Sequence, residues 1–317
     1  LTFSVVLANV EIFLGAGCDM CGIAGLFLKN RSLEPELGAM TAGMLAVLTE
    51  RGPDSAGFAI YRQGAPGVVK ISLRAPAGFD FEALAAAHDL PVTVRDDHAV
   101  LMVPEPRAAA LRAALARHHP EVTIVAVGAR MELFKGVGRP ADVAMRFGLA
   151  GMAGSHAIGH TRMATESAVT IAGAHPFSTG PDQCLVHNGS LSNHNDMRRR
   201  LIRENIVFET RNDTEVAAGF LSWKLREGAR LDAALHDALD ALDGFYTFVV
   251  GTETGFGVLR DPVACKPAVM AETDDYVAFG SEYRALADLP GINNAHLFEP
   301  APAKVYFWER RDAGAVH

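Results

Sequence analysis

The chain has 317 residues, 49% of them apolar, enough to bury a substantial core and to exclude a disordered polymer. Asp and Glu outnumber Lys and Arg by 37 to 29, so no general basic surface is available to release counterions from a nucleic acid. Four cysteines without zinc-type spacing, and no apolar run of the roughly 20 residues a bilayer span needs, argue against a structural zinc, a disulfide framework and a membrane helix, and point to a reducing cytoplasm.

Residues 1–19 resemble a signal sequence only superficially. Phe3 to Val10 and Ile12 to Leu14 are apolar, but no Lys or Arg precedes them, Asn9 and Glu11 interrupt them, and the lipobox-type Leu before Cys18 is missing. The chain starts with Leu, and Met20 stands directly before Cys21, so residues 1–19 are expected to be a non-native or removed extension. From Cys21 the run Cys-Gly-Ile-Ala-Gly-Leu-Phe-Leu reads as a buried strand. Ser32 is a candidate cap for a helix over 33–50, where Leu37, Met40, Met44, Leu45 and Leu48 recur at helical spacing, and Arg51-Gly52-Pro53 stops it. Ala56 to Tyr61 returns as a strand. Between about 75 and 154, Ala-rich helices such as Pro106 to His118 alternate with strands Ala99 to Val103 and Val122 to Val127, which predicts an α/β insertion. After Ser155, helices are expected near 193–204 and 213–227. Short strands are expected at 245–250, 256–259, 268–272, 276–279 and 305–308.

Chemistry-bearing residues fall in separate clusters. Removal of Met20 leaves Cys21 with a free α-amine; an amine titrating near roughly 8 can take the proton of a thiol titrating near about 8.5. Arg51-Gly52-Pro53-Asp54-Ser55 demands a sharp turn. Gly159-His160-Thr161-Arg162 offers a planar guanidinium to a substrate carboxylate, with Thr165 on the same side. His187-Asn188-Gly189, at an expected strand end, places a side-chain amide and a backbone N–H where an oxyanion hole needs them. Asp213 is either a helix cap or the partner of a substrate ammonium group. Taken singly, each cluster has an ordinary structural reading: a buried Cys, a surface turn, an ion-pair Arg, an Asn-Gly turn and an N-cap.

Their order is more informative. Cys-Gly-Ile, Arg-Gly-Pro-Asp-Ser, Gly-His-Thr-Arg, His-Asn-Gly and Asn-Asp-Thr-Glu, followed by Asp243-Gly-Phe, Asp261-Pro262 with Lys266-Pro267, and Phe279-Gly-Ser-Glu, resemble the class II glutamine amidotransferases, a branch of the N-terminal nucleophile (Ntn) hydrolases. The resemblance runs over about 20–310. It implies an α+β fold, a four-layer α/β/β/α sandwich, carrying the α/β insertion. It implies Cys21 as nucleophile, Asn188 and the Gly189 N–H for the oxyanion, Arg162 and Thr165 for the α-carboxylate of glutamine, and Asp213 for its α-ammonium. Met163, Glu166 and Cys265 depart from the family pattern. The stretches around Arg162, His175 to His194 and Cys265 to Thr273 look like the stand-alone glutamate-synthase-like subunits, including that of N-methylglutamate synthase. That likeness implies a glutaminase subunit without a metal or organic cofactor of its own. Its partners would be a glutamate-synthase-type flavin subunit and a β-helical subunit, and any flavin or iron-sulfur centre would lie in them. The alternative is a glutamine-sensing or assembly subunit that kept the pocket without turnover.

Overall fold

A computed structural model describes residues 21–163 and 169–310. In chain order the main elements are β1 (Gly22–Leu28), α1 (Leu37–Val47), β2 (Ser55–Tyr61), β3 (Val68–Arg74), α2 (Phe81–Ala87), β4 (Val92–Arg95), β5 (His98–Pro104), α3 (Glu105–His118), β6 (Thr123–Gly128), β7 (Met131–Val137), α4 (Pro140–Phe147) and β8 (His156–Arg162). There follow β9 (Phe177–Gly180), β10 (Gln183–Leu191), α5 (His194–Arg203), α6 (Asp213–Arg226), α7 (Leu231–Ala241), β11 (Gly244–Gly251), β12 (Gly255–Arg260), β13 (Val269–Glu272), β14 (Tyr276–Gly280), β15 (His296–Phe298) and β16 (Val305–Glu309).

Two antiparallel sheets form the centre. One has the order β15-β13-β14-β1-β8-β2-β7 and the other β16-β12-β11-β10-β9. Side chains alternate along a strand, so β1 serves two cores at once. Ile23 and Phe27 meet Val186, Val249 and Phe256 of the second sheet, while Ala24, Leu26 and Leu28 face Leu37, Met44 and Leu45 of α1 and Phe147 of α4. On the far side, Leu185, Phe248 and Val250 pack under Val216, Phe220 and Leu221 of α6 and Leu235 of α7. The layers therefore run helix, sheet, sheet, helix, the α/β/β/α sandwich expected above. Each large apolar side chain buried this way contributes about 1.5–3 kcal/mol relative to exposure.

Several expectations need correcting. The helix after β1 is not α-helical from residue 33. Asn30, not Ser32, caps it by accepting from the Ser32 N–H at 3.0 Å, and Pro35 lies in a 3-10 segment, Arg31–Glu36, that precedes α1. The inserted sheet has the order β4-β5-β3-β6 and its own core around Ile71, Leu101 and Leu115. It begins with β3 at 68 and ends with β6 at 128, rather than spanning 75–154. Lys70 and Ser72 disguise β3 in the sequence, yet both are buried; the Lys70 ammonium is held by Glu132 at 2.8 Å. β7 then returns to pair with β2, so it and α4 belong to the main body.

Candidate active site

Cys21 stands one residue before β1, where Gly22 and Ile23 pair with Thr161 and His160 of β8. Its position is fixed from three sides. The Cys21 carbonyl accepts from the Asn188 side-chain amide at 3.1 Å and from the Arg51 Nε at 3.4 Å. The next two amides donate to hydroxyls, Gly22 N to Thr161 Oγ1 at 3.2 Å and Ile23 N to Ser281 Oγ at 2.8 Å. Arg51 is anchored by Glu282 at 3.6 Å. The Arg51-Gly-Pro-Asp and Phe-Gly-Ser-Glu motifs thus act through the backbone of the Cys21 strand. Gly52 has a local reason to be glycine, because a Cβ there would stand 2.5 Å from the Arg162 backbone N.

Asn188 and Gly189 do not lie at a strand end. β10 continues to Leu191, and both residues stay in register with Thr247 and Tyr246 of β11. Nor is Asn188-Gly189 a turn. Gly189 has φ +142°, and a Cβ there would lie 2.0 Å from the Phe245 carbonyl oxygen, so the strand follows this path only with glycine. A pocket of about 250 Å³ opens between the strands, lined by Cys21, Arg162, Asn188, Gly189 and Asp213 together with Met163, His175, His187, Asn212, Thr214 and Lys266. Five of the six residues picked from sequence therefore meet in one cavity. The sixth, Thr165, lies outside the described residues.

Asp213 is the first residue of α6 but not its cap. Asn212 caps the helix, its side chain accepting from Thr214 N at 2.8 Å. That frees the Asp213 carboxylate to accept from Leu191 N at 2.9 Å and to face the pocket. Asp213 sits where the helix dipole favours an anion.

Sequence reasoning missed the layer behind these residues. The Thr214 hydroxyl lies between His187 Nδ1 at 3.0 Å and His175 Nε2 at 3.1 Å, and His160 Nε2 donates to the His187 carbonyl at 3.1 Å. The His160 and His175 rings are 4.0 Å apart. Burial takes His160 down to about 3 and holds His175 well below its ordinary range. Burial also lowers His187, against the opposing pull of Asp213, whose oxygen is 3.8 Å from its Nδ1. The three rings are neutral near pH 7, so they shape the wall of the pocket without cancelling the charge of Asp213. In the sequence Lys266 stands out only as part of the Lys266-Pro267 motif. Asp261 accepts from Val263 N at 2.8 Å and Arg260 donates to the Lys266 carbonyl at 2.7 Å, which bends this loop so that Lys266 lines the pocket.

Two further cysteines, Cys184 and Cys265, are among the described residues, and neither lines the pocket. Cys184 is fully buried, its thiol pushed up to about 12 by burial, and Cys265 is exposed and outside the pocket lining.

A family model described as a glutamine amidotransferase domain matches residues 160–288. The chain is 58% identical over 300 residues to the glutamine amidotransferase-like protein GlxB of Rhizobium meliloti (strain 1021), covering 93% of this chain and 100% of that protein. The chain belongs to the glutamine amidotransferase family. A second relative, a putative glutamine amidotransferase of Methanothermobacter thermautotrophicus, is 33% identical over 307 residues, covering 90% of this chain and 99% of that one. The fold of this amidotransferase is also that of glutamine phosphoribosylpyrophosphate amidotransferase from B. subtilis, with a TM-score of 0.59 at 21% identity over 91% of this chain and 47% of the other. Among the described residues, no helix is long and apolar enough to cross a membrane.

Proposed function

We propose that this amidotransferase hydrolyses L-glutamine to glutamate and ammonia at Cys21 and delivers the ammonia to a glutamate-synthase-like or N-methylglutamate-synthase-like complex. The reading rests on the convergence of Cys21, Asn188, Gly189, Arg162 and Asp213 on one pocket. Arg162, with Thr165, takes the α-carboxylate of glutamine and Asp213 its α-ammonium, leaving the side-chain amide toward Cys21. The Cys21 amine accepts the thiol proton as sulfur attacks the amide carbon. Asn188 and the Gly189 N–H stabilise the oxyanion. Its collapse returns the proton to the departing nitrogen, which leaves as ammonia. Water then cleaves the thioester to release glutamate and restore the thiol.

In the chain as written the Cys21 nitrogen is an amide bonded to Met20, with no basic lone pair. The active form therefore begins at Cys21, by initiation at Met20 and its removal or by cleavage of a longer precursor.

Chain beginning at Cys21 should release glutamate from glutamine, and Cys21→Ala with an unchanged melting temperature should not; undiminished release by that variant sinks the proposal. A folded chain that binds glutamine with Cys21 free, yet neither turns it over nor takes label from a glutamine-like diazoketone, would instead be a sensing subunit. The choice of complex rests on the sequence resemblance. Purification of the tagged chain from its host should recover a flavin-bearing subunit and a β-helical subunit; recovery of a sugar or nucleotide synthetase in their place contradicts it.

A further inference from the structure

A second and larger cavity lies behind the Cys21 pocket. It has a volume of about 720 Å³, against about 250 Å³ for the pocket, and opens between β6 of the inserted sheet, β9, the segment 205–210 and α6. A cavity of this size is in the range that holds a small organic ligand. The wall between the two is thin. His175 lines the pocket and Phe177 the cavity, and along α6 Thr214 lines the pocket and Glu215 the cavity.

The lining has a definite chemistry. Ile124, Phe177 and Ile206 give it apolar walls, and Arg74, Arg112, Lys135 and Arg226 bring four cations against the two carboxylates Glu209 and Glu215. Glu215 is already used: it accepts from Glu209 N at 2.7 Å, Thr210 N at 2.8 Å and Thr210 Oγ1 at 2.7 Å. Lys135 is the unusual member. Its side chain is buried on β7, its ammonium lies 4.5 Å from the centre of the Phe177 ring, and among the described residues no carboxylate comes within ion-pair distance of it. Burial lowers this ammonium to about 8, with Glu209 and Glu215 acting only from a distance. A buried cation without a paired anion is costly, and an anionic ligand entering the cavity relieves that cost.

We propose that this cavity is a second ligand site for an organic anion, whose carboxylate or phosphate group is held by Lys135 and Arg112 and whose apolar or aromatic body lies against Phe177 and Ile206. The site does not depend on glutamine hydrolysis. Arg112 is on the exposed side of α3, so its replacement leaves the core intact.

Anilinonaphthalenesulfonate, an aromatic anion whose fluorescence rises in apolar surroundings, is the probe. Titrated into the full folded chain, it should occupy one saturable site. Lys135→Met should weaken that binding roughly tenfold or more, and Arg112→Ala by a smaller factor in the same direction. Cys21→Ala should leave it unchanged. Displacement by phenylpropionate or by a nucleoside monophosphate then distinguishes a carboxylate ligand from a phosphate ester. Three outcomes overturn the proposal: no saturable probe binding, displacement by neither anion, or binding by Arg112→Ala and Lys135→Met equal to that of the unaltered chain. If Lys135→Met fails to fold, Arg112→Ala alone decides.

Discussion

Replacement of Asn188 by Ala separates a catalytic role for this residue from a structural one. Among the described residues its side-chain amide donates one hydrogen bond, 3.1 Å to the Cys21 carbonyl, which also receives Arg51 at 3.4 Å, so the carbonyl keeps a donor when Asn188 is cut back. A neutral hydrogen bond of this kind is worth a net of about 1 kcal/mol, and the backbone pairing of β10 with β11 through Thr247 is untouched. The stability lost should therefore be about 1 kcal/mol. Loss of one oxyanion donor instead costs about 100- to 1000-fold in turnover, roughly 2.7–4 kcal/mol. The kinetic loss should thus exceed the loss of stability by about 2–3 kcal/mol and fall on kcat, because the oxyanion exists only after attack. Steady-state glutamate release by chain beginning at Cys21, beside a urea melt of the same preparation, measures both. A kcat within about fivefold of the parent, or a loss carried wholly by KM, refutes the role given to Asn188.

Asp213→Asn keeps an oxygen for the Leu191 N–H, and Asn212 still caps α6, so the helix should survive while KM for glutamine rises roughly ten- to a hundredfold; an unchanged KM contradicts ammonium binding by Asp213. Gly189→Ala puts a methyl group 2.0 Å from the Phe245 carbonyl at a φ of +142° and should destabilise the chain by more than about 2 kcal/mol, which a thermal melt detects; an unaltered melt contradicts the strand geometry. Burial takes His156 and His160 to about 3, below the ordinary 6.5. The unfolded chain therefore binds more protons between these values. Stability should be full above about pH 6.5 and fall toward pH 3 by up to about 1.4 kcal/mol per pH unit for each histidine. Urea unfolding at pH 7, about 5.5 and about 4.5 tests the slope, and a flat profile contradicts the neutral buried rings.

Much of the frame was legible because strands buried on both faces appear as unbroken apolar runs. β1, β11, β12 and β14 are of this kind. β3 and β8 were not legible, since Lys70, Ser72, His156, His160 and Thr161 are polar residues turned inward to specific partners, which the alternation of hydrophobicity does not register. α7 is legible in principle, since Leu231, Leu235 and Ala238 recur at helical spacing and all are buried. Of the site, Cys21, Arg162, Asn188, Gly189 and Asp213 were legible through the order of their motifs, although none is decisive alone. The assembly of His160, His175, His187 and Thr214 was not. These residues come from β8, the stretch before β9, β10 and α6, and only the packing of α6 on the second sheet brings them to one point. The sequence leaves Asp213 open as cap or ammonium partner because Asn212 and Asp213 are both good cap residues and spacing does not rank them.

Whether Cys21 acts with its own amine as base is decided by intact mass after exposure to a glutamine-like diazoketone. The measurement compares chain beginning at Cys21 with chain retaining residues 1–20. One label, located on Cys21, is expected on the first and none on the second, in parallel with glutamate release. Equal labelling and equal glutamate release by the chain that retains Met20 would contradict the amine's role as base.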